Sequence, residues 1–288
     1  MLPPALPTSV EGKIGYIRYS VVVHIERPLW SDQRFQEYFT VLKTLNLNND
    51  FMLRLPLIRE ERKTYFKCCL LWCCTTGPLV ITACIPVGGY VPGQSIELFL
   101  RINNRSDQTI QNFIIQIIKN IQYHTHANSS STKIDKIVVK SAVCDGCPKN
   151  VSRAYTLSIV VPPVPPTDES TSNIVKVSYQ LQIQGSANCF REDPILIFPI
   201  KIGTYPIFPY NEPTTVSPQP QLTVNSNESF TTSVPYPTAS SFSADAVTDD
   251  IDPPTYEEAI LSCLDETAFR PSYPVFRRTP SYTAKPNI

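Results

Sequence analysis

Apolar residues recur at every second position in several separate stretches of this chain, and that period of two limits the fold more than any other feature. Val175, Val177, Tyr179, Leu181 and Ile183 form the clearest run, and Ile96, Leu98, Leu100 and Ile102 alternate with Glu97 and Arg101. Tyr155, Leu157, Ile159 and Val161 repeat the pattern. Ile17, Tyr19, Val21, Val23 and Ile25 share a face opposite Arg18, Ser20 and His24. Neighbouring side chains of a strand point to opposite faces, so each run predicts a strand with one face buried. No stretch of similar length carries the helical period.

The connections agree with this reading. Gly88-Gly89 and Pro92-Gly93 bracket Tyr90 as a turn between two strands, and residues 103–107, Asn-Asn-Arg-Ser-Asp, end the next strand. Pro162, Pro163, Pro165 and Pro166 form a stiff loop that no ladder of hydrogen bonds can absorb. Residues 127–131 are expected at the tip of a hairpin with arms 113–126 and 132–143. Scarce glycine (9) and abundant proline (28) among 288 residues suit an all-β chain with proline-marked joints. The expected fold is an all-β sandwich. Beyond about residue 210, Ser, Thr and Pro dominate and the alternation stops. Such a segment buries too little apolar surface to offset its chain entropy, so residues 210–288 are expected to be a disordered tail.

Composition narrows the partners. The 25 basic and 25 acidic residues balance, which gives no electrostatic reason for nucleic acid as the main partner. The N-terminal residues 1–12 lack the basic start and apolar core of a signal peptide, so the 9 cysteines are expected to stay reduced in the cytoplasm. The N-x-S sequons at Asn104, Asn128, Asn150 and Asn227 then read as chance matches. The uncharged stretch 68–87 has the length of a membrane span, but Gly77-Pro78 divides it. It reads instead as a cysteine-rich approach, a turn, and a strand over residues 79–85.

The sharpest motif is Pro253-Pro254-Thr255-Tyr256, followed by Glu257-Glu258-Ala259. Consecutive prolines pre-set the polyproline II form, and the tyrosine adds a sequence-specific anchor, as WW domains require of a PPxY ligand. Pro253, Pro254 and Tyr256 are therefore the WW-binding residues of this reading. Arg270-Pro271-Ser272-Tyr273 and Thr279-Pro280-Ser281-Tyr282 are echoes that lack the first proline. They would contribute only by tethering, to a partner with several WW domains.

Further stretches carry a resemblance. Residues 6–19 (LPTSVEGKIGYIRY), 26–30, 68–78 (CCLLWCCTTGP), 89–96 (GYVPGQSI), 102–106, 199–204 and 253–259 follow one another in the order seen in α-arrestins, the arrestin-domain-containing proteins. The chain resembles that family over nearly its whole length. The resemblance implies residues 1–66 as the C-terminal part of an arrestin N-like domain, 67–209 as an arrestin C-like domain, and 210–288 as the PPxY tail. It begins well inside the N-domain, so strands in residues 15–57 are expected to present open edges or an uncovered apolar face. It also implies an adaptor role. Members join membrane-protein cargo to HECT-type ubiquitin ligases whose WW domains bind PPxY, which promotes ubiquitination, endocytosis and trafficking. The implied place is the cytoplasm, with peripheral association to plasma membrane and endosomes.

Other chemistry is weaker. Cys144-Asp145-Gly146-Cys147 is a CxxC, but a zinc site needs two more ligands. In the expected hairpin His124 lies beside about Ile134, which leaves Cys144 on the order of 30 Å from His124 and His126. No βαβ pattern surrounds the pair, so redox work is not indicated. Cys68, Cys69, Cys73 and Cys74 read as small apolar packing residues, with S-acylation as the sharper alternative. No phosphate loop, nucleophile elbow or HExxH occurs, so neither catalysis nor a cofactor is expected. The rival readings are a membrane-anchored or secreted Ig-like binding protein, a metal or thiol enzyme, and a short form that occupies the ligase without presenting cargo.

Overall fold

The computed structural model describes residues 3, 6–28, 32–65, 77–125, 131–187, 193–208 and 269–276. All of them belong to one unit. In chain order the strands are β1 (Val10–Glu11), β2 (Tyr16–Ile17), β3 (Tyr19–Ile25), β4 (Gln33–Phe39), β5 (Leu57–Lys63), β6 (Leu79–Ile85) and β7 (Gly89–Tyr90). They continue with β8 (Ser95–Asn104), β9 (Ile110–His124), β10 (Thr132–Cys147), β11 (Val151–Val160), β12 (Val175–Gly185) and β13 (Ile195–Ile202). Two short 3-10 turns, Leu47–Asn49 and Phe51–Arg54, are the helical elements among the described residues.

The alternating runs at 96–102, 155–161 and 175–183 enter two facing sheets. One runs β10-β9-β12-β13-β7 and the other β11-β8-β6-β5. Burial alternates residue by residue along β8 and β12, where Ile96, Leu98, Leu100, Ile102, Leu181 and Ile183 are fully enclosed. Their partners across the sandwich join one continuous core with Phe113, Phe198 and Tyr90. A buried side chain of this size contributes about 1.5–3 kcal/mol, so these two strands hold much of the apolar stabilisation. The stretch 79–85 is strand β6, central in its sheet. Among the described residues no helix is long and apolar enough to cross a membrane.

Three expectations need adjusting. The Gly88–Tyr90 region is more than a turn, because β7 joins the edge of the sheet in parallel with β13. The hairpin β9–β10 closes at His124 opposite Thr132, with Ile134 opposite Gln122, so the tip is tighter by two positions than expected. The run 17–25 breaks at Arg18, and β3 pairs only with β4 in a two-stranded ribbon. Val21 and Val23 there are 56% and 50% exposed, so the middle of the alternating face lies open among the described residues, while Ile17 at its start packs against the core.

Residues 6–65 are not a loose appendage. Leu47 and Val10 enter the sandwich core, and Asn46 bridges Tyr205 beyond β13. Lys43 reaches Asp168 at 3.0 Å and also contacts Thr171. Burial alone would raise the Asp168 carboxyl, but the hydrogen bonds from Lys43 and Thr171 outweigh it and lower the pKa. Asp168 therefore contributes stability above its unfolded pKa of about 3.8, and that contribution is lost as pH falls through the lower folded value. Lys43→Ala should cost about 2 kcal/mol at pH 7 by removing a charged hydrogen bond from the buried Asp168 carboxylate. The gap between variant and wild type should narrow below about pH 4 in urea melts. A gap that is independent of pH would mean the lysine acts through its packing alone.

Candidate functional site

Pro253, Pro254 and Tyr256 lie outside the described residues, as do Cys68, Cys69, Cys73 and Cys74. The structure does bear on the CxxC. Cys147 is enclosed at the end of β10 and its thiol donates to the Val151 carbonyl at 3.2 Å. Burial pushes the Cys144 and Cys147 thiols up, away from the reactive thiolate. His124 pairs with Thr132 at the far end of the hairpin, while Cys144 faces Phe113. At ~3.3 Å per residue the two lie on the order of 35 Å apart, so β9 and β10 keep the imidazole and the thiols separate. No cluster suited to a metal ion occurs among the described residues.

Between Gly146 and Cys147 the motif serves as a corner. The Gly146 carbonyl accepts from the Tyr155 hydroxyl at 2.8 Å and from Arg153 at 3.3 Å. The outer face of β9, β12 and β13 forms a groove of about 500 Å³, with Asn120, Gln122, Ser178 and Gln180 beside Met52 and Lys201. Lys201 is tied to Asp50 at 3.0 Å, and this hydrogen bond lowers the Asp50 pKa.

The most built feature is a seam beside the β7–β8 turn. Val91-Pro92-Gly93-Gln94 closes with Gln94 N–H donating to the Val91 carbonyl at 3.0 Å, and Gly93 takes φ +91°. Proline before a left-handed glycine is the signature of a type II turn. Opposite it run residues 7–9, held by Ser9 N–H to the Val41 carbonyl at 2.9 Å and Val41 N–H to Ser9 Oγ at 2.9 Å.

Residues 269–276 lie along this seam. Phe269 stacks obliquely on Tyr38 with ring centres 5.4 Å apart. Ser272 N–H donates to Thr40 Oγ1 at 3.0 Å, the Tyr273 hydroxyl to the Ser9 carbonyl at 2.8 Å, and Phe276 N–H to the Pro92 carbonyl at 3.0 Å. Burial, then the nearby Glu11 carboxylate, push the Tyr273 phenol well above its usual range. Residues 269–276, expected to belong to a disordered tail, are instead held against the body by these contacts. The available signal was the spacing of Phe269, Pro271 and Tyr273 within a Ser/Thr/Pro-rich segment.

Comparison with known proteins follows the same map. The model of the arrestin (or S-antigen) C-terminal domain matches residues 75–207, and that of the N-terminal domain matches residues 1–48. Arrestin domain-containing protein 17 of Caenorhabditis elegans is 28% identical over 204 residues, covering 68% of this chain and 46% of that protein. Human arrestin domain-containing protein 1 is 25% identical over 224 residues, covering 77% and 48%. Mouse arrestin domain-containing protein 4 is 27% identical over 206 residues, covering 70% and 46%. The chain thus spans about half the length of the curated relatives it matches. With both domain models matched in order on a two-sheet sandwich, the chain belongs to the arrestin family.

Proposed function

We propose that this chain is an α-arrestin-type adaptor whose tail offers Pro253, Pro254 and Tyr256 to a WW domain of a HECT-type ubiquitin ligase. A complete PPxY in an arrestin-family chain carries this reading. Through it, membrane-protein cargo would be brought to the ligase for ubiquitination and sorted by endocytosis. The protein would work in the cytoplasm and visit plasma membrane and endosomes. S-acylation at Cys68, Cys69, Cys73 or Cys74 would add one membrane anchor, which needs a second signal to hold.

The PPxY reading makes a direct prediction. The full chain titrated with such a WW domain should bind with Kd of about 10–100 μM, the range for one short preformed peptide. Tyr256→Ala should weaken binding at least ~tenfold, or about 1.4 kcal/mol. A wild-type chain that does not bind would remove the adaptor reading. A rival form would engage the ligase through the same motif without presenting cargo. Ligase binding without cargo ubiquitination would distinguish that form from a full adaptor.

A further inference from the structure

We infer that the seam between residues 7–9, Thr40 and the Pro92-Gly93 turn is a binding site for a short extended peptide, and that residues 269–276 of this chain are its resident ligand. Along the segment, exposure alternates. Phe269, Pro271 and Tyr273 are half-buried, while Arg270, Ser272 and Pro274 face out. That is the pattern of an extended peptide laid on a surface. Its contacts mix main-chain hydrogen bonds for affinity with side-chain anchors for selectivity, as in other peptide-recognition sites. Phe276, at the far end, packs against the sandwich core.

The body is shaped for this ligand. A Cβ on Gly93 would fall 2.5 Å from the Phe276 carbonyl oxygen and 2.7 Å from Val275 Cγ1, so the bare glycine leaves the room that the peptide occupies. The Ser9 carbonyl that receives the tyrosine hydroxyl belongs to a fully buried residue whose own amide and hydroxyl are engaged with Val41. The bonds to Val41 orient that carbonyl without any contribution from the peptide. The ligand class follows from these parts: an aromatic, a proline, a tyrosine kept as its free phenol, and a second phenylalanine, spaced as in F-x-P-x-Y-x-x-F.

This occupancy has a consequence for the tail's WW-type motifs. Pro271 and Tyr273, the two side chains a WW domain would need from Arg270-Pro271-Ser272-Tyr273, are the two turned toward the body. Docked, this echo is withheld from WW partners. The chain is also held on the body both before residue 209 and after residue 268, through Phe208 to Asn48 and Ser272 to Thr40. The Pro253-Pro254-Thr255-Tyr256 motif falls between those two anchors.

Amide hydrogen exchange of the full chain tests the site without any partner. Wild type should show Ser272 and Phe276 exchanging at least ~tenfold slower than an unstructured peptide. The Tyr273→Ala/Phe276→Ala variant should lose that protection while β8 and β12 keep theirs. Unprotected wild-type amides, or a variant still protected, would overturn the proposal. So would a variant that loses protection throughout β8 and β12, since the segment would then be core rather than ligand. A final arm rests on the PPxY reading: adding a HECT-type WW domain should leave residues 269–276 protected. Displacement by that domain would overturn the withholding of the echo. A failure to bind any WW domain would count against the PPxY reading and leave the seam intact.

Discussion

Alanine at Gly146 is expected to lower the stability of the folded body by at least about 3 kcal/mol, although it adds one methyl group. The added Cβ would sit 1.9 Å from the Ile110 carbonyl oxygen and 2.4 Å from both the Gln111 carbonyl carbon and oxygen. All three are main-chain atoms, so no side-chain rotation relieves the clash. The β9 backbone cannot simply withdraw, because Gln111 N–H is bonded to the Ser186 carbonyl at 2.9 Å and Ser186 N–H to the Asn112 carbonyl at 2.9 Å. The Gly146 strand is pinned from its other side by Tyr155 and Arg153. Alanine restricts the unfolded chain and so returns about 0.4–1 kcal/mol, too little to offset the overlap. Urea denaturation should show the midpoint falling by about 1 M for a protein of this size. Cys144→Ala, at a half-buried thiol, should cost about 1 kcal/mol or less. That order of effects is what a structural corner predicts. The reverse order, with the cysteine dominant and the glycine silent, would reopen a thiol or metal role for the motif.

The same corner shows what the sequence can and cannot disclose. The alternation in β8 and β12 was legible because each strand is covered on one face by its own chain, so pattern and burial report the same thing. The alternation in β3 was equally clear and yet Val21 and Val23 are exposed. Period two records that a strand has two unlike faces; it does not record whether the chain carries what covers one of them. The hairpin arms could be read from composition, but their register depends on the geometry of the closing turn, which composition leaves open. The CxxC suggested sulfur chemistry because spacing is visible in a sequence and thiol burial is not. Residues 269–276 were the hardest case. Proline and serine lower local hydrophobicity and read as a disordered tail. What orders the segment is a carbonyl at Ser9 and a turn at Gly93, both distant in the chain and neither marked by any local pattern. The candidate WW motif was legible for the opposite reason, because its chemistry is contained within four consecutive residues.

Asn104→Ala is expected to cost about 3–4 kcal/mol, because this one side chain serves five hydrogen bonds at the end of β8. Its amide nitrogen donates to the carbonyls of Gln108 at 2.7 Å, Pro148 at 3.0 Å and Cys147 at 3.3 Å. Its oxygen accepts from the Ser106 amide at 3.1 Å and the Ser106 hydroxyl at 2.6 Å. It thereby joins the loop after β8 to the turn between β10 and β11, where Asn150 takes the left-handed φ of 57°. Alanine would leave buried carbonyls and an amide without partners, each a desolvation loss of about 1–3 kcal/mol, partly recovered by local relaxation. Asn104→Asp separates polarity from shape. It keeps the acceptor toward Ser106 but turns an oxygen toward three carbonyls, which disfavours the charged form and raises the folded-state pKa. The folded variant then holds a proton that the unfolded chain has released, so its stability should fall as pH rises through the unfolded carboxyl range and recover on acidification. Urea melts of both variants at pH 4 and pH 7 would read this directly. A deficit for Asp that did not shrink at pH 4, or an alanine variant within about 1 kcal/mol of wild type, would show that the network does not hold this corner. The buried site also bears on the secreted rival: at 1% exposure the Asn104 sequon cannot receive a glycan in the folded protein. A glycan there would have to precede folding, and it would remove the same hydrogen bonds that the alanine variant removes.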